Sequence, residues 1–425
     1  MRLIVIAFVL LHATAASAQL RAGVARVDIT PTALMQMYGY ANRRCGDAVG
    51  THDPLSAKAL VLEAGNSRMA IVTMDLGSMV SDALRRDVAS RLNIPVLLLS
   101  ASHTHSAPSF LPFGSSPTRD PAAPAYMADL ERKIFSAIEQ ASKALAPVTL
   151  HVGKGSLQLG YNRLLPRDNG RSRALFENPD RVPYGPVDPE YVLLRVDAMD
   201  GTPRALLVHY ATHAVVLGPT NCKYSADYPG AMQAKVEAAL PGTQVMFVQG
   251  GAGDINPLSL ARSGKEDDDF AVVKKMGDLL ADEVIRANKG ATPVVSKAQG
   301  ILAKSEVLTF ADRWEKGQTL DVGITTVLIN GTIAIAAVPG EALHALQRMW
   351  KEQAEAPIPL FYGYTFSSGG TWAGYIPDLK SAAHGGYGAD ASTRIEVGAG
   401  ERIMQRHLIN LYGLLGMWLD TPGDR

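Results

Sequence analysis

Ala101-Ser102-His103-Thr104-His105-Ser106-Ala107-Pro108 follows directly on the apolar run Pro95-Val96-Leu97-Leu98-Leu99. A run of that length reads as a buried strand, and two histidines two residues apart at its end fall on one side of the pleat. Imidazoles held rigidly at a strand end are suited to ligate a metal. A hydrogen-bonded histidine pair on a loop uses the same residues, and the stretch alone leaves both readings open.

The same pattern recurs outward from this point. Upstream, Ala57 to Glu63 and Met69 to Met74 read as a hairpin turned at Gly65-Asn66, and Ser81 to Leu92 has helical spacing. Downstream, Tyr191 to Asp197 and Arg204 to Tyr210 form a second hairpin around Asp200-Gly201, and Thr325 to Val338 a third around Asn330-Gly331. Leu360 to Phe366 reads as a last strand. Helical stretches lie at Ala125 to Leu145, Pro229 to Leu240, Phe270 to Ala287 and about Glu401 to Trp418. Hairpins mixed with helices predict an α/β protein whose mixed β-sheets are covered by helices, in a single large catalytic domain. The polar loop from Arg167 to Arg181 is either a substrate-facing lid or plain surface.

The 425 residues carry 41 Lys and Arg against 41 Asp and Glu, so no basic excess points to a nucleic-acid partner. Arg2, the apolar run Leu3 to Leu11 and the small residues Ala16-Ser17-Ala18 read as a secretory signal, 1–18, cleaved near Ala18. The expectation is a mature domain over 19–425, secreted or periplasmic, with no transmembrane segment, since spanning a bilayer takes about 20 apolar residues. Cys45 and Cys222 are the only cysteines, without Cys-x-x-Cys spacing, and are either a disulfide or two free thiols. Gln249-Gly250-Gly251-Ala252-Gly253-Asp254 is glycine-rich but lacks the Gly-Lys-Ser/Thr ending of a phosphate-binding loop.

Potential ligands and acid/base groups repeatedly follow apolar strand runs: His103 and His105, His209 and His213, Asp254, Glu341. Strand ends on one sheet edge converge, so a shared pocket is expected. Two histidines plus a carboxylate form a frequent catalytic zinc set. Glu341 alone also fits a plainer role, complementing a helix dipole.

Taken in order, Ala101 to Pro108, Asn162-Arg163, Tyr210-Ala211-Thr212-His213, Gly253-Asp254-Ile255-Asn256-Pro257, Val338-Pro339-Gly340-Glu341 and Ala373-Gly374-Tyr375 resemble the landmark motifs of the neutral/alkaline ceramidases. Gly23 to Thr30 and Thr73-Met74-Asp75-Leu76-Gly77 resemble that family's opening segments. The resemblance implies a zinc-dependent amidase that cuts N-acylsphingosine into a fatty acid and a sphingoid base. It implies Zn2+ on His103, His213, Glu341 and Tyr375, with His105 and Arg163 beside the scissile amide. The substrate side would be a lipid-like N-acyl amide, met in transient contact with a membrane surface or micelles. His213 matches rather than His209, through its spacing to Ser225-Ala226-Asp227, which leaves His209 as a strand residue.

Three departures accompany the resemblance. Asn256 stands where the family has a serine; an amide cannot act as a hydroxyl nucleophile but can hydrogen-bond to a carbonyl or oxyanion. Ser109-Phe110 replaces a glycine pair. The family's immunoglobulin-like carboxy-terminal domain is not matched. A zinc hydrolase of another N-acyl amide or ester, and a non-catalytic metal- or ligand-binding homologue, are the alternative readings.

Overall fold

The computed structural model describes residues 19–111, 120–298 and 300–418. The expected export signal, 1–18, lies outside them. The α/β architecture forms as four layers, set by which face of each strand is apolar. A ten-stranded mixed sheet contains, in spatial order, Gln244–Gln249, Pro203–Tyr210, Glu190–Ala198, Ala146–Ser156, Arg21–Asp28, Ser56–Ala64, Ser67–Met74, Val96–Ala101 and Thr365–Phe366, with Thr292–Pro293 paired to Ala146–Ser156. A four-stranded sheet is ordered Ile301–Ala311, Thr319–Ile329, Ile333–Ala337, Ile358–Tyr362.

The two sheets pack face to face. Leu60, Ile71, Leu98, Leu194 and Met246 of the large sheet meet Val327, Ile333, Ile335 and Leu360 of the small one. Alternate residues of the same strands face outward. Leu97 and Leu99 pack under helices Asp82–Leu92 and Ala123–Lys143, and Val208 and Phe247 under Asp227–Ala239 and Glu266–Lys289. Leu328 and Ala334 lie under His344–Gln353 and Ala399–Leu414. Strands covered on both faces carry no polar alternation, which is why Val96-Leu97-Leu98-Leu99 is uniformly apolar. Each fully buried aliphatic side chain in these layers contributes roughly 1.5–3 kcal/mol.

The expected hairpins form at their expected turns, with Gly65 at φ 58° and Asn330-Gly331 at φ 53° and 63°, the left-handed pair that a tight two-residue turn requires. Ser81 caps its helix by accepting from Leu84 N. One expectation is corrected. Leu360 to Phe366 is not one strand: Ile358–Tyr362 belongs to the small sheet and Thr365–Phe366 to the large one. The chain changes sheets at Tyr364, at φ 55°. Cys45 and Cys222 form a disulfide across 177 residues. Among the described residues no helix is long and apolar enough to cross a membrane.

Three parallel pairs orient the strand ends: Ser67–Met74 with Val96–Ala101, Pro203–Tyr210 with Gln244–Gln249, and Ile333–Ala337 with Ile358–Tyr362. The loops leaving their carboxyl ends are stitched together by backbone hydrogen bonds, including His105 N to Ala214 O, His213 N to Ile255 O and Gly253 N to Ala342 O. Both sheets therefore feed one site.

Candidate functional site

His103 lies two residues beyond the Val96–Ala101 strand, at φ 64°. The convergence of His103 and His105 comes from this left-handed turn and not from the pleat. His103 N donates to Leu76 O at 2.9 Å, and Nδ1 faces Gly77 O at 2.6 Å. His213 leaves the Pro203–Tyr210 strand and turns its Nδ1 to Ala252 O at 2.5 Å. A carbonyl can only accept, so both rings carry a proton on Nδ1, and as neutral imidazoles they present a bare Nε2. Glu341 opens the short strand Glu341–Ala342, paired with Tyr375–Ile376, and its Oε2 lies 3.2 Å from each of those Nε2 atoms. Three acceptors meet with no proton between them. All three residues are buried.

Acceptors so arranged repel one another unless a cation or a proton sits among them. His105 Nε2 lies 3.3 Å from His103 Nε2, and the ligating nitrogens of His103, His105 and His213 fall within 4.8 Å of one another, a group able to hold a metal ion. Burial pulls the His213 imidazole down to about 4 and, with the neighbouring His103 and His213, holds His105 well below its ordinary value. A neutral-imidazole, anionic-carboxylate set is what a divalent cation requires.

Tyr375 faces Glu341 directly in the strand register. Burial, reinforced by Glu341, keeps its phenol protonated well past the ordinary range. Arg163 Nη2 donates to Tyr375 Oη at 3.1 Å and to Gly253 O at 2.6 Å, while Nη1 donates to Asn256 Oδ1 at 3.0 Å. The guanidinium is buried and stays charged, because Tyr375 and Glu341 offset the cost of burial. Asn256 Nδ2 donates to Phe176 O at 3.3 Å, so this side chain clamps Arg163 between the Gly253 to Pro257 loop and the Arg167 to Arg181 segment. Phe176, from that segment, is half exposed and packs on Tyr387 at 5.3 Å.

The structure thus gathers His103, His105, Arg163, His213, Asn256, Glu341 and Tyr375 at one place. His209 stays in the sheet, where its Nε2 meets Phe361 O at 2.7 Å and links the two sheets. Several residues had no sequence signal. Tyr387 meets Tyr375 edge-to-face at 5.4 Å, with the Arg163 guanidinium 5.1 Å over its ring. Tyr38 and Tyr40 enclose the His105 ring at 5.5 and 4.8 Å. Gly39 between them, at φ 94°, lies so close that a Cβ there would sit 2.2 Å from the imidazole. The Cys45–Cys222 disulfide anchors this loop, and Arg43 Nη2 donates to His105 O at 2.5 Å.

A buried ion pair supports the site from behind. Asp254 Oδ2 takes His344 Nδ1 and Asn162 Nδ2, each at 2.7 Å, and Oδ1 takes His344 N at 2.8 Å. It therefore joins the short strand Gly160–Asn162, just before Arg163, to the segment after Glu341. Burial opposes both charges, but each partner outweighs it: Asp254 is lowered and His344 raised. Asp254→Asn strands the imidazolium and is expected to cost about 3 kcal/mol, in the range for breaking a buried pair. The folded His344 pKa lies above the unfolded one, so its contribution is complete below the ordinary imidazole pKa and fades as pH rises through the folded value. Urea unfolding of both proteins across pH 5–9 checks this; a stability gap that widens with pH would contradict it.

A family model described as neutral/alkaline non-lysosomal ceramidase, N-terminal, matches residues 20–269, more than half of the chain. The fold is similar to the crystal structure of neutral ceramidase from Pseudomonas aeruginosa, at 18% identity and TM-score 0.74, covering 95% of this chain and 76% of that one. A structure described as ceramidase complexed with C2 is similar at 18% identity and TM-score 0.75, covering 96% and 77%. With the family match spanning the strands and loops that carry His103, His105, Arg163, His213 and Asn256, the chain belongs to the neutral/alkaline non-lysosomal ceramidase family.

Proposed function

We propose that this protein is a zinc-dependent hydrolase of lipid-like N-acyl amides, with N-acylsphingosine as substrate. The observation that carries the reading is the convergence of His103 Nε2, His213 Nε2 and Glu341 Oε2, three acceptors without a proton among them. These residues would hold the ion together with Tyr375. Bound zinc supplies a Lewis acid for the amide carbonyl and acidifies water near neutral pH.

The chain's own groups do the remaining work. Arg163, held charged and aimed by Asn256, Gly253 and Tyr375, donates to the oxygen that gains negative charge as the carbonyl becomes tetrahedral. His105 is partly accessible and has a buried Nδ1 with no partner among the described residues. It takes the proton that the attacking water gives up and passes it to the leaving amine. Asn256 does not act as a nucleophile. Half-exposed Phe176, beside Arg163 and Tyr387, suits an apolar chain entering from a micelle or membrane surface. The disulfide supports export to an oxidising compartment.

The test is metal analysis of the purified protein combined with turnover of ceramides of several chain lengths, other N-acyl amides and simple esters. Expected are one zinc per chain and hydrolysis that a chelator abolishes and zinc restores. Hydrolysis that survives complete zinc removal would sink the proposal, and zinc without turnover of any substrate would leave a binding protein.

A further inference from the structure

Tyr364 combines features that a fold bears only at a cost. It is an aromatic residue at φ 55°, in the left-handed region that side chains rarely adopt. It is fully buried, and its hydroxyl has no hydrogen-bond partner among the described residues. Its backbone explains the conformation in part, since Tyr364 N donates to Gly340 O and its carbonyl accepts from Ala101 N as the chain crosses between sheets. Nothing in that crossing requires a phenol. A phenylalanine would fill the same space without an orphaned hydroxyl.

The ring sits against the proposed centre, 4.5 Å from the His103 ring and 6.1 Å from that of His213. Trp372 lies 6.1 Å from Tyr364 and 6.4 Å from His103, and its buried Nε1 also has no partner among the described residues. Arg163 Nε is a further buried donor without a partner among the described residues. Indole and guanidinium nitrogens only donate, and a phenol donates readily. A ligand that satisfies them must therefore bring acceptor oxygens.

We propose that Tyr364 Oη and Trp372 Nε1 form a donor pair that binds an acceptor oxygen of the amide substrate beside His103. The proposal rests on the amide-hydrolase reading and adds two substrate-contacting residues to it. Two substrate oxygens have this chemistry: the reacting carbonyl and a hydroxyl on the amine portion. A carbonyl contact strengthens as charge develops, so its loss lowers kcat; a hydroxyl contact is the same in ground and transition states, so its loss raises KM.

The experiment compares Tyr364→Phe and Trp372→Phe with the wild type in steady-state hydrolysis of a short-chain ceramide and of its deoxy analogue. Metal content and the melting temperature of the metal-free protein are measured alongside. Tyr364→Phe is expected to lower kcat/KM by about 10–100-fold with zinc unchanged, and Trp372→Phe by about 10-fold. The metal-free Tyr364→Phe protein is expected to melt about 1–3 °C higher, because an unsatisfied buried hydroxyl is gone. Activity and stability then move in opposite directions, which a purely structural tyrosine would not do. A fall in kcat identifies the carbonyl as the bound oxygen. A rise in KM together with lost preference over the deoxy analogue identifies the hydroxyl. Unaltered kcat/KM in Tyr364→Phe, from a wild type that hydrolyses the ceramide, overturns the donor pair and leaves the hydrolase reading standing. A wild type inactive on every amide overturns both.

Discussion

Glu341→Gln is expected to leave the protein without zinc and lower amide turnover by at least about 10³-fold, yet to raise the melting temperature of the metal-free chain. The argument follows from proton positions. His103 and His213 each spend their Nδ1 proton on a backbone carbonyl, so Glu341 Oε2 faces two lone pairs at 3.2 Å. In the presence of zinc this is an ideal set of anionic and neutral donors. Without the ion it is repulsive, and the buried carboxylate has a desolvation cost as well. A glutamine amide of the same shape can turn its nitrogen toward the imidazoles and donate, which removes the repulsion but also the charge that retains the metal. With zinc at a thousand times its Kd, the wild type gains about 4 kcal/mol that the variant cannot. His103→Ala should lose zinc and activity equally but melt lower in the metal-free state, since it opens a cavity among Tyr38, Tyr364 and His213. Elemental analysis and melting curves with and without chelator measure each part. Stoichiometric zinc in both variants would show that the centre is elsewhere.

The contrast between these two residues and their supports explains what could be read from the sequence. His103, His213 and Glu341 each follow an apolar strand run, and strand ends are where a chain of this class presents polar groups, so local pattern was enough to nominate them. The turns at Gly65 and Asn330-Gly331 were legible for a similar reason: their backbone angles demand particular residues. Asp254 and His344 are 90 positions apart and meet only because two loops from different sheets are folded together. No local signal marks such a pair. The same holds for Tyr387 over Arg163, and for the choice of which face of Leu97-Leu98-Leu99 meets helices and which meets the second sheet, because burial on both sides erases the alternation that would reveal it. Leu360 to Phe366 reads as one strand because every residue except Gly363 suits one, while Gly340 and Ala101 hold the backbone of Tyr364 in a left-handed turn.

Arg163→Lys is expected to lower kcat by about 10²–10³-fold with zinc retained, the loss typical of a misplaced oxyanion donor. A lysine keeps the charge, so any effect comes from geometry. The guanidinium uses its planar fork to reach Asn256 Oδ1, Gly253 O and Tyr375 Oη at once, which leaves Nε buried and free to donate. A single ammonium cannot make those contacts and still point a donor at the substrate. Arg163→Ala is the less informative change: it leaves three acceptors unpaired in a buried place and costs stability of about 2–4 kcal/mol besides. Asn256→Ala tests the same geometry from the other end. It removes the clamp on Nη1, touches none of the proposed ligands, and should lower kcat about 10-fold with zinc intact. Because Asn256 acts through Arg163, the double variant Arg163→Lys, Asn256→Ala should be little slower than Arg163→Lys alone. Fully additive losses would mean that Asn256 contacts the substrate itself, and a wild-type kcat in Arg163→Lys would remove the guanidinium from the reaction.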